Sequence, residues 1–302
     1  MSARSSDDDL LQPGWRSSRR KVGAVTLHVV EAGKAGAPLV ILLHGFPEFW
    51  WAWRHQIGPL AAAGFHVVVP DLRGYNLSDV PDGIDDYRLD TLAADVVALA
   101  DTFGAERFHL VGHDWGAVIG WWVAALHATR LDQVVLMDGP HPDVWGAQML
   151  KHPSQALRST YAAFFQLPWL PEATLGSFDH AGLRTMLQGS GKADTFEPGA
   201  LNRYVAAWRN AGSLTGMLNY YRALRRRERP AAPARITPPT LILWAEEDRF
   251  LERHIAEASL AQCDDARLEM IADATHWLHL EQPARINARI IAWLSEAPAQ
   301  KR

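Results

Sequence analysis

The sequence predicts an α/β protein, a mostly parallel, doubly wound sheet with an inserted helical cap. Three observations predict it. Short, wholly apolar runs such as Leu39-Val40-Ile41-Leu42-Leu43 suit strands buried on both faces of a parallel sheet. They alternate with amphipathic runs of helical length, the rhythm of a doubly wound fold. The rhythm stops near residue 140 and resumes near residue 236, so the chain divides into a core of 1–139 and 236–302 and a cap of 140–235.

The elements follow in order. About the first fifteen residues are polar and expected to be disordered. Val25–Val30 reads as a strand, and Leu39–Leu43 as the first fully buried one. Trp53–Ala63 reads as a helix that Gly64 ends, and Phe65–Val69 as a strand stopped by Pro70. Leu89–Phe103 is an amphipathic helix closed by Gly104. Arg107–Val111, Ala117–His127 and Gln133–Met137 continue as strand, helix, strand. Gly139-Pro140 breaks the pattern, and helical pieces such as Gln155–Phe165 and Leu201–Leu214 follow. Strand Thr240–Ala245, helix Arg253–Gln262 and strand Arg267–Ile271 restore it, and a closing helix starts at Pro283, a favourable first helical residue.

Composition excludes several classes. With 302 residues, 48% apolar and 21% charged, the chain can bury a large core. A net charge of −4 gives no reason to expect nucleic acid as a partner. The local run Arg225-Arg226-Arg227-Glu228-Arg229 is read as a solvated helix end. Cys263 is the only cysteine, which excludes an internal disulfide and fits a reducing compartment. Met1–Leu10 lacks the apolar stretch of a secretory signal, and no run is long enough to span a bilayer, so a cytoplasmic location is expected. No His/Cys cluster shows ligand spacing, so neither a metal nor another cofactor is expected.

The chemistry is carried by Gly112-His113-Asp114-Trp115-Gly116, between a strand and a helix. Small-x-nucleophile-x-small is the spacing of a nucleophile elbow, whose glycines let the backbone turn sharply and push the central side chain out above the sheet. Here that residue is Asp114, and a carboxylate there implies displacement at saturated carbon. A serine would leave an ether that water cannot cleave; aspartate leaves an ester. His44-Gly45-Phe46-Pro47-Glu48 follows the first buried strand and can aim the Phe46 amide at the site, with the Trp115 amide as second oxyanion donor. Asp248, after strand Thr240–Ala245, is the candidate to orient a base, with Asp138 as competitor; Glu246 and Glu247 read as solvated turn residues. His276, after the final strand, is the candidate base, while His279 reads as packing or solvent-facing. His44 and His113 are read as supporting their loops by hydrogen bonding.

The order nucleophile, acid, histidine, with an insertion between the first two, resembles the α/β-hydrolase fold. The motifs resemble its epoxide hydrolase branch: His44-Gly45-Phe46-Pro47-Glu48 with Trp50, Trp53 and Arg54; Gly112-His113-Asp114-Trp115-Gly116; and the loop Asp71-Leu72-Arg73-Gly74-Tyr75-Asn76-Leu77-Ser78-Asp79. The resemblance covers Val25 to Leu294. It implies a small apolar epoxide and water as partners, a covalent ester on Asp114, and two cap tyrosines as proton donors. Leu218-Asn219-Tyr220-Tyr221-Arg222 resembles the segment that carries one, pointing to Tyr221, and Tyr161 sits where the other is expected; Tyr220 and Tyr204 are the alternatives. A haloalkane or haloacid dehalogenase would use the same aspartate, but Phe46 and Trp115 depart from the residues usual there. A non-catalytic ligand-binding protein on the same fold is the reading from a different class.

Overall fold

A computed structural model of the chain describes residues 7–226 and 235–296. Within them lies one eight-stranded sheet, in the order β1-β2-β4-β3-β5-β6-β7-β8. The strands are β1 (Arg16–Val22), β2 (Val25–Ala32), β3 (Leu39–Leu43), β4 (His66–Pro70), β5 (Phe108–His113), β6 (Leu131–Met137), β7 (Thr240–Ala245) and β8 (Ala266–Ile271). β2 pairs antiparallel with β1 and with β4, and every pairing from β4 through β3 to β8 is parallel. β3, β4, β5 and β7 are buried at every residue, which requires cover on both faces. The sequence reading of an α/β doubly wound core is therefore correct in class and places every strand but β1.

Helices α1 (Ile57–Ala62), α2 (Leu89–Thr102) and α3 (Trp115–Leu126) connect the first parallel strands. Between β6 and β7 come α4 (Pro142–Lys151), α5 (Pro153–Arg158), α6 (Thr160–Phe164), α7 (Leu170–Ser190), α8 (Pro198–Trp208) and α9 (Ser213–Ala223). α10 (Arg253–Leu260), α11 (Leu278–Glu281) and α12 (Pro283–Ser295) complete the chain's helices among the described residues. α3 packs on β5 and α2, while α1 packs with α12.

Several expectations need correction. The segment from Asp7 to Trp15 is placed: Asp7 accepts from the Trp50 indole at 2.9 Å and the Asn76 amide, and Trp15 sets its ring edge on Trp50. These contacts hold the segment, whereas its polar composition alone suggested disorder. β1 was missed, because its residues are mostly exposed at the sheet edge and carry no apolar pattern. Trp53–Ala63 is not one helix but a 3-10 turn, Trp50–Trp53, followed by α1. Gln155–Phe165 splits into α5 and α6 at Ser159, whose hydroxyl accepts from Gln155 at 2.8 Å. Leu201–Leu214 splits into α8 and α9, because Gly212 takes φ +80 as the cap of α9. Of the basic run, Arg226 ends a 3-10 turn and pairs with Asp85 at 3.2 Å; Arg227–Arg229 lie outside the described residues.

Candidate active site

β5 ends in a sharp turn whose apex is Asp114, at φ 50 and ψ −117. The neighbouring glycines make that turn possible. A Cβ on Gly112 would lie 2.4 Å from the Gly116 carbonyl oxygen, and one on Gly116 would lie 2.0 Å from the Leu43 carbonyl oxygen. Asp114 caps the N-terminus of α3, where the helix dipole favours a carboxylate.

The loop after β3 closes over Asp114. The Phe46 amide donates to Asp114 Oδ1 at 2.7 Å. Trp115 opens α3, at the end of a helix whose first amides have no intrahelical acceptor. His44 fixes the loop from behind: its Nε2 accepts from the Leu72 amide at 3.0 Å, so its Nδ1 carries the hydrogen that faces the Gly45 carbonyl.

His276 follows β8, with Nδ1 2.8 Å from Asp248 Oδ2 and Nε2 3.6 Å from Asp114 Oδ2. The other oxygen of Asp248 accepts from the amides of Phe250 and Leu251, at 2.7 and 3.0 Å, so the acid is locked before it meets the ring. Burial alone would lower the proton affinity of His276; Asp248 and Asp114 outweigh it and hold the imidazole well above its ordinary value. Asp138, the competitor, has a carboxylate oxygen within 4.8 Å of a His276 nitrogen but makes no hydrogen bond to the ring; its Oδ1 accepts from the Ala245 amide at 2.8 Å. Burial and the adjacent Asp248 push the Asp138 carboxyl well above the carboxylate range. Glu246 and Glu247 are exposed.

Tyr161 on α6 and Tyr221 on α9 line the same two small cavities as Asp114. Their rings lie 5.9 Å apart, and Tyr221 stands edge-on to Trp115 at 4.9 Å and to Phe46 at 5.4 Å. The two alternatives are engaged elsewhere. Tyr220 donates to the Arg73 carbonyl at 2.8 Å, and Tyr204 packs between Phe49 and Trp51.

Beneath the site lies a group that the sequence reading quoted without a role. Glu48 is fully enclosed, accepts from the Gly45 amide at 3.2 Å, and meets His113 Nδ1 at 3.0 Å and His279 Nε2 at 3.4 Å. Burial opposes its ionisation, but the facing His279 and His113 rings hold the carboxyl well below the usual range. His113 Nε2 faces the His276 carbonyl at 2.8 Å. Both nitrogens of His113 thus face oxygens, one of Glu48 and one of the His276 carbonyl. His279 packs against Trp53 and His113. Glu48–His113–His279 and His28–Asp71–Asp7 also bring metal-ligand atom types within 4.8 Å of one another, but their short contacts, Glu48–His113 at 3.0 Å and His28–Asp71 at 2.7 Å, are hydrogen bonds.

The alpha/beta hydrolase fold family matches residues 38–283. An AB hydrolase superfamily protein from Bacillus subtilis is 42% identical over 89% of this chain and 94% of its own length. Mouse epoxide hydrolase 4 is 37% identical over 92% of this chain and 79% of its own length. This chain is a member of the epoxide hydrolase family of the α/β-hydrolase fold. A Bacillus megaterium epoxide hydrolase solved with an inhibitor superposes at TM-score 0.85, with 29% identity over 92% of this chain and all of that one. This member of the epoxide hydrolase family is a hydrolase, and among its described residues no helix is long and apolar enough to cross a membrane.

Proposed function

We propose that this chain opens an apolar epoxide to a vicinal diol through a covalent ester on Asp114. The observation that carries the reading is the meeting of one carboxylate with two phenols, Tyr161 and Tyr221, in shared small cavities. Displacement at an epoxide carbon needs a nucleophile on one side and a hydrogen-bond donor for the ring oxygen on the other. Burial pushes both phenols up, with Asp114 adding to the effect, so at neutral pH they hold their protons.

The steps follow. An Asp114 oxygen bonds to a ring carbon as the carbon–oxygen bond breaks, and the departing oxygen takes a proton from a tyrosine. The phenolate recovers its proton from solvent. Ester formation removes the charge of Asp114 from beside His276, so the imidazole loses part of what raised its proton affinity and becomes a base when water must be activated. Water attacks the ester carbonyl, and its proton passes to His276, held by Asp248. The amides of Phe46 and Trp115 hold the oxyanion, each donor contributing on the order of 3 kcal/mol. The diol oxygen takes the proton from His276 as it leaves, and Asp114, now carrying one oxygen from water, releases the water's second proton to solvent, which balances the proton the phenolate took up.

On this reading residues 140–235 act as a cap that supplies both proton donors to a core of 1–139 and 236–302. The single cysteine, Cys263, supports a reducing, cytoplasmic setting. Asp114→Ala should abolish turnover, and His276→Gln should accumulate a protein heavier by one substrate. A single turnover in heavy-oxygen water should label Asp114. Retained turnover in Asp114→Ala, or label in the diol alone, would overturn the ester route. A dehalogenase would release halide from haloalkanes and give no diol from epoxides, and a ligand-binding protein would turn over neither.

A further inference from the structure

The loop that carries His276 is held on both sides of the base by one short stretch of the helical insertion. Residues 272–277 join β8 to α11, and residues 191–197 join α7 to α8. Ahead of the base, Lys192 Nζ donates to the Asp273 carbonyl at 2.6 Å and meets its carboxylate at 2.5 Å. Behind it, the Trp277 indole donates at 3.0 Å to Ser190, the last residue of α7, and stands edge-on to Phe196 at 5.0 Å. The remaining tie is Glu281, the half-buried last residue of α11. Its Oε2 accepts from the Thr275 amide at 2.8 Å, and its Oε1 from the Thr275 hydroxyl at 2.6 Å. The same Oε1 accepts from the Thr195 hydroxyl at 2.8 Å and the Lys192 amide at 3.0 Å. One carboxylate thus takes four donors, two from the residue before the base and two from the insertion.

We propose that Glu281 is a positioning residue: it clasps the base loop to the insertion and so sets where His276 stands when the ester on Asp114 is hydrolysed. The inference rests on the ring-opening reading above and adds a residue that serves its second step.

The chemistry of the clasp calls for a carboxylate. An ionised carboxyl only accepts, which suits four donors, whereas a glutamine would set N–H against at least one of them. Burial opposes ionisation, but the bonds from Thr275, Lys192 and Thr195 outweigh it and hold the Glu281 carboxyl below its ordinary value. The placement of the clasp ties it to the base. Thr275 is the chain neighbour of His276, whose Nε2 stands 3.6 Å from Asp114 Oδ2, so a shift of Thr275 is passed to the imidazole. Misplacing a catalytic group by about 1 Å can cost about 10²-fold in rate. The proton donors are anchored apart from this clasp. Tyr220, beside Tyr221, donates to the Arg73 carbonyl at 2.8 Å. α5, just ahead of Tyr161, reaches the core through Gln155 and Arg158, which donate to the Phe250 and Asp248 carbonyls at 2.8 and 2.7 Å. Loosening the clasp therefore reaches the base and leaves the alkylating groups in place.

The test follows a single turnover of styrene oxide by rapid-quench mass spectrometry, which separates ester formation from ester breakdown. Glu281→Gln should slow breakdown about tenfold and leave formation within about twofold, so that kcat and KM fall together. Thr195→Val removes the insertion's hydroxyl donor and keeps both Thr275 bonds; breakdown should still slow, by about threefold. Thr195 is half-buried and the change keeps its shape, so this variant decides the matter if the glutamine variant does not fold. Equal slowing of both steps, or breakdown unaltered in either variant, would overturn the clasp and leave ring opening standing. No ester in any of these proteins, His276→Gln included, would overturn ring opening itself.

Discussion

The two oxygens of Asp114 have different partners, and the difference divides the labour. Oδ1 is bonded to the Phe46 amide at 2.7 Å, while Oδ2 lies 3.6 Å from His276 and is the freer of the two. On the proposed route Oδ2 attacks carbon, and Oδ1 already occupies the position where the oxyanion later develops. The tyrosines act opposite. Replacing both Tyr161 and Tyr221 with Phe should lower kcat/KM about 10³-fold, a loss typical of removing general-acid catalysis. Either replacement alone should cost less, because the remaining phenol still donates. Stopped-flow measurement of ester formation checks this, and unchanged rates in the double variant would remove the tyrosines from the chemistry.

At the scale of elements, the elbow is held by backbone contacts that leave no space for a methyl group. Gly116→Ala would drive a Cβ into the Leu43 carbonyl of β3 and should cost about 3 kcal/mol, read as a lowered denaturant midpoint. Gly146→Ala in α4 meets no atom within 4 Å and should instead stabilise by about 0.5–1 kcal/mol. What was legible in the sequence follows the same physics. The parallel strands β3 and β7 could be read because double-sided burial makes them wholly or nearly wholly apolar, and β5 and β6 because each holds a short apolar run, Leu110-Val111 and Val134-Val135-Leu136-Met137. Asp114, Asp248 and His276 could be read because each follows such a strand or its neighbour at the same end of the sheet. The edge strand β1 could not, since it faces solvent. The break inside α7, where Ser177–His180 leave helical geometry and three of them turn left-handed, lies between Gly176 and Gly182, but the four residues that break are themselves neither glycine nor proline. Glu48 showed no role in sequence because its partners, His113 and His279, come from β5 and α11, His113 being 65 residues away.

The whole molecule stores a pH dependence in its buried ring cluster. Burial, with the neighbouring His113, pushes His279 down to about 4. Between there and the ordinary value of about 6.5, the unfolded chain binds a proton that the folded one refuses. The corresponding stability is complete above pH about 6.5 and drains as the pH falls toward 4, by on the order of 3 kcal/mol. Urea titrations across that window should show the slope, and His279→Leu should flatten it; an unaltered slope would assign the acid sensitivity to other groups.

The helical insertion also separates the catalytic set along the chain: His113 and the His276 carbonyl it bonds are 163 residues apart. During synthesis from the N-terminus, the nucleophile, the oxyanion loop and both tyrosines emerge well before the imidazole. On the proposed route, a chain whose last segment had not yet docked would carry Asp114 and both tyrosines without His276. An epoxide opened by such a chain would stay as an ester on Asp114, and docking of the segment after β7 is what would supply release.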